Sequence, residues 1–136
     1  MKRLILSALA AGLSFASAAA LAIDESKDVL CATTQVQDCP EIGDCIQVRP
    51  EEVNAPTFMR VNLKKKEIGI GTRSVKIERR EQIEDRLILQ GAEDGREDRP
   101  DGVGWTMSID TDSGRFVVAV AGSEEAVILF GACTEI

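Results

Sequence analysis

The chain is 136 residues long, a size that suits one domain with a single hydrophobic core. It has 23 acidic and 16 basic residues and only four Phe and one Trp, which argues against a nucleic-acid-binding surface, since such surfaces are basic. Because histidine and tyrosine are absent, Ser-His-Asp and Cys-His catalytic sites are excluded as well.

The first 22 residues have the organisation of a secretory signal peptide. Lys2 and Arg3 form a basic start, residues 4–15 are apolar, and residues 20–22 (Ala-Leu-Ala) fit the A-x-A pattern that signal peptidase recognises. The apolar run is shorter than the ~20 residues that span a bilayer as a helix. The order of these three parts predicts a cleaved leader rather than a membrane anchor.

We expect cleavage after Ala22, with Ala18 and Ala20 as alternatives, and export to the periplasm or the medium. Loss of the two leader cations leaves 14 basic against 23 acidic residues. The product is predicted to be one unanchored domain over residues 23–136 with no membrane span.

The rest of the chain is a series of short segments in which apolar and polar residues alternate, as in half-buried strands. We predict strands over residues 29–36, 44–48, 57–62, 67–71, 73–80, 86–90, 105–110, 116–121 and 126–133. A polar loop is expected over residues 91–102 and a tight turn over residues 110–114. The last strand is mostly apolar and is predicted to be buried on both faces.

Eight or nine strands at intervals of about 8–12 residues, with no amphipathic helix, predict an all-β fold. We favour a small antiparallel barrel or a strongly curled sheet of about eight strands. A two-sheet sandwich is the alternative.

Four cysteines in a small exported chain predict two disulfides. Cys39 and Cys45 enclose a turn-like insert, so we pair them with each other and pair Cys31 with Cys133, although two other pairings remain open. The second bridge would join the first strand to the last, as closure of an up-and-down sheet requires. The cysteine spacing and the lack of histidine do not favour a zinc site, and no metal or cofactor is predicted.

Basic charge is concentrated in residues 60–80, where a locally positive hairpin could meet an anionic partner. The candidate contacts are Lys64, Lys65, Lys66, Arg73 and Lys76. The alternative is a solvated strand face whose cations pair with acidic neighbours across the strands.

The Trp105–Met107 segment and the acidic stretch 93–101 each have a functional and a structural interpretation. Trp105 and Met107 fit either the lining of a ligand cavity inside a barrel or simply its core. Residues 93–101 hold five carboxylates, a number that Ca²⁺ could use, but Arg96 and Arg99 lie among them and the EF-hand spacing is not met. We therefore favour a solvated loop there.

Several segments carry a resemblance to known proteins. C-A-T-T-Q-V-Q-D-C (31–39), L-I-L-Q-G (87–91), G-W-T-M-S-I-D (104–110) and F-G-A-C-T (130–134) resemble the corresponding parts of small exported proteins of proteobacteria. The resemblance spans nearly all of the chain after the leader and implies bacterial export. None of these segments is a catalytic signature, so the resemblance implies no reaction.

These observations predict a non-enzymatic binding module of the bacterial envelope. Its expected partner is an envelope component, which is a protein, a lipid headgroup or a polymer, and not a nucleic acid. One alternative is a carrier of a small apolar ligand in a barrel cavity. Another is a hydrolase that uses paired carboxylates. The sequence does not predict an oligomeric state.

Overall fold

A computed structural model describes residues 23, 24, 26–97 and 100–136. The predicted signal peptide, residues 1–22, lies outside the described residues. The described chain is almost entirely β structure, with one short 3-10 helix at Pro50–Val53. The predicted all-β fold class is therefore confirmed.

The strands are numbered in chain order. They are β1 (Val29–Pro40), β2 (Ile46–Val48), β3 (Phe58–Asn62), β4 (Glu67–Ile70), β5 (Arg73–Lys76), β6 (Arg79–Ile83), β7 (Arg86–Glu93), β8 (Val103–Asp110), β9 (Arg115–Ala121) and β10 (Glu125–Glu135). The segment 73–80, predicted as one strand, is divided into β5 and β6. The predicted loop 91–102 begins only after Glu93, because β7 continues to pair with β8 up to that residue.

All the strands belong to one antiparallel sheet in the order β5-β4-β3-β1-β10-β9-β8-β7-β6, and β2 pairs with the second half of β1. The first and last strands lie side by side, in register from Val29 opposite Glu135 to Pro40 opposite Glu125. The chain is thus an up-and-down meander whose beginning and end pair. A strongly curled single sheet is confirmed, and the sandwich alternative is not observed.

The two outer strands of this order, β5 and β6, are consecutive in the chain. Only Ile77 and Glu78 separate them. The Ile77 N–H donates to the Lys66 carbonyl (2.8 Å), next to β4, and the Glu78 N–H donates to the Gln90 carbonyl (2.9 Å) on β7. The two ends of the sheet therefore meet at this corner, which we call the seam.

The inner face of the curled sheet forms the hydrophobic core. Apolar residues at alternate positions of the strands point inward, as the period of two requires. Leu87, Leu89, Met107 and Ile109 have no exposed surface, and Trp105 is also buried. Aliphatic side chains fill most of this interior, as expected from the low aromatic content.

Two glycines allow the sheet to bend. Gly91 lies opposite Trp105, and Gly131 lies opposite Phe116. In each pair the aromatic ring lies over the position that a β-carbon would occupy, 2.6 Å from the nearest ring atom. A β-bulge in β1 between Thr33 and Gln35 faces Gly131 on the neighbouring strand. Bulges and strand glycines are the usual sources of sharp sheet curvature.

Both predicted disulfides are confirmed. Cys31 and Cys133 are direct neighbours across β1 and β10 and are bridged. Cys39 and Cys45 close the short loop between β1 and β2.

The prediction that the last strand is buried on both faces is wrong. Leu129 points into the core, whereas Ile128 and Phe130 are only half-buried on the outer face. The reason is that the single sheet covers its inner face by curling and has no second layer over its outer face.

Candidate functional site

Most arginines of the described chain are paired with carboxylates. Ion pairs join Arg49 to Glu52, Arg60 to Asp28, Arg73 to Glu93, Arg79 to Glu81 and Arg86 to Asp110, with N–O distances from 2.7 to 3.6 Å. Such pairs neutralise positive charge locally. They remove most arginines as attachment points for an anionic partner.

The lysines of the predicted basic hairpin differ. Lys64, Lys65, Lys66 and Lys76 are exposed, and none has a carboxylate within 4.0 Å among the described residues. Three of them are consecutive in the connection between β3 and β4, residues 63–66, which we call the lysine turn. Lys76 ends β5 opposite Glu67, the residue that begins β4 just after this turn.

Local backbone structure holds the lysine turn in place. The Lys65 N–H donates to the Asn62 side-chain oxygen (2.8 Å), an Asx interaction that starts the turn. Lys66 has φ of 55°, the left-handed conformation that such tight turns use. Leu63, at the base of the turn, is buried in the core. The three ammonium groups are thus carried by a short, anchored turn rather than by a long loop.

Arg73 does not belong to this group. It begins β5 at the opposite end from the lysine turn, and its guanidinium lies 2.7 Å from the Glu93 carboxylate on β7. This half-buried pair joins the two sides of the seam. Of the five residues predicted to contact an anionic partner, the structure brings four together and places Arg73 in a structural ion pair.

A cleft opens at the seam beside the lysine turn. It has a volume of about 260 Å³ and is lined by Leu63, Lys66, Ile77, Glu78 and Arg80. Leu63 and Ile77, 6% and 3% exposed, supply an apolar floor, and the other three supply charged groups. We call this feature the seam cleft. The sequence did not predict the seam cleft, although all of its lining residues lie in the basic stretch 60–80.

Trp105 and Met107 lie in the core and line a small apolar cavity of about 40 Å³. One water molecule occupies about 30 Å³ in the liquid, whereas pockets for small ligands measure about 300–1,000 Å³. In this conformation the interior is therefore filled by the protein's own side chains. The buried Trp105 Nε1–H has no hydrogen-bond partner within the described part of the chain.

Carboxylates gather at the end of the sheet opposite the lysine turn. A cleft of about 380 Å³ between the β7–β8 and β9–β10 connections is lined by Asp101, Glu124 and Glu125 among other residues. All three are exposed to water, whereas the general acid of a glycoside hydrolase typically lies in an apolar pocket. This cleft offers an acidic surface and no differentiated acid–base pair.

No cluster of three or more His, Cys, Asp or Glu side chains suited to a metal ion occurs in residues 23, 24, 26–97 and 100–136. Asp98 and Arg99 of the acidic loop lie outside these residues. Within the same part of the chain, no helix has the length and apolar character needed to cross a bilayer.

The lysine turn and the seam cleft are therefore the strongest candidate site of the described chain, because lysines with no carboxylate within 4.0 Å lie beside an apolar floor. Comparison of the chain with protein-family models, with curated proteins and with solved structures finds no match.

Proposed function

We propose that this protein is an exported, non-enzymatic binding module that attaches to an anionic component of the bacterial envelope through the lysine turn. The observation that carries the proposal is that Lys64, Lys65, Lys66 and Lys76 have no carboxylate within 4.0 Å among the described residues, whereas five arginines form ion pairs. Unneutralised cations that cluster in one place attract anionic surfaces most strongly.

Carboxylates occur at both ends of the curled sheet, and the end with the lysine turn also carries Asp28, Asp110 and Glu135. The lysine turn lies at one end, and Glu93, Asp94, Asp101, Glu124 and Glu125 lie at the other. The chain as a whole has a formal charge of −7. Attachment would therefore depend on the local cluster of lysines and not on the charge of a whole end of the sheet.

Three further features support an envelope location. The leader of residues 1–22 carries the signals for export and for cleavage after Ala22. The two disulfides suit the oxidising periplasm or the medium. The resemblance to small exported proteobacterial proteins agrees with this location.

The first prediction concerns the lysine turn. In the double variant K64E/K65E, we expect retention on isolated bacterial envelopes to fall by at least about 30-fold, because each lysine lost near an anionic surface costs roughly one kcal/mol and the introduced carboxylates are repelled. Co-sedimentation at low ionic strength measures this retention. Added salt should weaken the binding of the native protein, since exposed charges are screened.

The matched control is R49E/R115E, which changes the net charge by the same amount at exposed sites away from the lysine turn. We expect this variant to stay within about twofold of the native protein. Thermal unfolding should show that both variants are folded. Equal loss of retention in the two variants, or no loss in either, would contradict the proposed function.

A further inference from the structure

The strand β6 has an open backbone edge. It ends the strand order of the sheet, so one edge pairs with β7 over all five residues and the other has no strand neighbour in the described chain. All five of its side chains are exposed. Such edges are templates for pairing with a further strand, and soluble proteins usually cover or shorten them.

The seam explains why this edge is open. The chain pairs with β4 up to Lys76 and, after Ile77 and Glu78, pairs with β7 instead. The β3–β4 hairpin stops at the lysine turn, so it does not extend alongside β6. Along this edge no strand of the described chain pairs with β6, and the seam cleft, which Lys66 and Arg80 help to line, lies at its start.

We propose that the open edge of β6 binds an extended acidic peptide segment by strand addition. One apolar side chain of the segment occupies the seam cleft over Leu63 and Ile77, and a neighbouring carboxylate lies near Lys66 and Arg80. The inference rests on the proposed function, because the lysine turn supplies the charge that selects an acidic partner. It narrows that partner to a protein segment.

Three properties of the site support this occupant. Strand addition takes its affinity from main-chain hydrogen bonds and its specificity from pockets for alternate side chains. The seam cleft, at about 260 Å³, lies below the usual size of a small-molecule pocket and suits a single side chain. Lys64, Lys65 and Lys66 lie on the turn that borders this edge, and Lys76 lies at the end of β5.

A second copy of this chain fits the edge less well. Two antiparallel β6 strands with the longest overlap would place Glu81 directly opposite Glu81, and like charges at such positions are destabilising. Two chains with a net negative charge would also repel each other.

The test uses a ten-residue peptide with alternating Glu and Val, its ends blocked, and a control peptide in which every Val is replaced by Pro. Both carry the same charge, but proline has no N–H and cannot form the strand ladder. We expect the first peptide to bind at least about tenfold more tightly by fluorescence anisotropy. Hydrogen exchange should show new protection of those amides within residues 79–83 that point to the open edge, which are alternate residues of the strand.

Equal binding of both peptides, or protection outside β6, would overturn strand addition while leaving attachment through the lysines intact. Strand addition would also be overturned if the peptide did not bind while envelope retention of the protein still depended on Lys64 and Lys65. A dimer whose β6 amides are already protected without peptide would also overturn the inference, because the edge would then belong to a second copy. If K64E/K65E retains its envelope binding, the proposed function itself fails.

The site variant K66E/R80E, compared with R49E/R115E, completes the test. We expect the alternating peptide to bind it at least about tenfold more weakly, and the control variant to bind as the native protein does. Unchanged peptide affinity in K66E/R80E would contradict the placement of the carboxylate.

Discussion

Gly91 and Gly131 show how single residues determine the curvature of the sheet. At Gly131 a β-carbon would lie 2.0 Å from the Ala32 carbonyl oxygen, and at Gly91 it would lie 2.6 Å from the Lys76 carbonyl oxygen. In both cases the β-carbon would meet a backbone carbonyl oxygen, and backbone atoms cannot move aside as the end of a flexible side chain can. The tight curl therefore depends on the absence of a side chain at these two positions.

We expect G131A and G91A to lower the free energy of unfolding by about 1–3 kcal/mol, the range for overpacked sites, with the larger loss at Gly131. G104A is the matched control, because a β-carbon there meets no atom within 4 Å. Urea unfolding measures all three variants. A loss at Gly104 as large as that at Gly131 would show that steric contact is not the cause.

At the scale of elements, the segment before β1 acts as a strap across one end of the sheet. Ile23 is buried, and its N–H donates to the Thr111 carbonyl (2.7 Å). Further along, the Lys27 ammonium lies 2.7 Å from the Glu135 carboxylate at the end of β10. The strap, described at residues 23, 24 and 26–28, therefore connects the β8–β9 turn to the last strand.

The strap is expected to loosen in acid. The hydrogen bond from Lys27, followed by the one from the Asp24 N–H, lowers the pKa of Glu135 below its usual 4.5. A carboxyl group with a lowered folded-state pKa stabilises the fold above its unfolded pKa, and this contribution is lost as the pH falls through the folded value. Relative to that of the core, hydrogen exchange of residues 26–28 should therefore accelerate as the pH falls below the usual 4.5 of a glutamate.

The variant E135Q should show the same fast exchange of residues 26–28 at pH 7, because it cannot pair with Lys27. E125Q, at the exposed start of the same strand, is the control and should behave as the native protein does. Exchange of the strap that does not depend on pH and is unaffected by E135Q would refute the role of this pair.

At the scale of the whole molecule, the pairing of β1 with β10 joins residues that are far apart in the chain. The Cys31–Cys133 bridge spans 102 residues, whereas Cys39–Cys45 spans 6. In the chain-entropy model, a bridge restricts the unfolded chain more when it closes a longer loop. The two disulfides should therefore contribute unequally to stability.

We expect C31A/C133A to lose about 4–5 kcal/mol of unfolding free energy and C39A/C45A to lose about 2 kcal/mol, each relative to the native disulfide-bonded protein. Chemical denaturation under non-reducing conditions measures the difference. Equal losses would contradict the chain-entropy explanation, because truncation of the fully buried Cys31 adds to the loss in C31A/C133A.

Local patterns were sufficient to predict much of this fold. Alternation of Trp105, Met107 and Ile109 with polar residues predicted β8, and the turn-like insert after Cys39 predicted its disulfide partner. Both depend on neighbours in the sequence, where the period of two and turn chemistry act directly. The cluster of Lys64, Lys65 and Lys66 was likewise visible as a run of charge.

The sequence by itself determined the all-β class, the presence of two disulfides and the position of the lysine run. Only the tertiary structure decided that the predicted strand 73–80 divides at Ile77 and Glu78, that Arg73 pairs with Glu93, and that β6 keeps an open edge beside the seam cleft. These features depend on which backbone edges meet when the sheet curls. That choice is made by contacts between residues distant in the chain, which a local pattern does not encode.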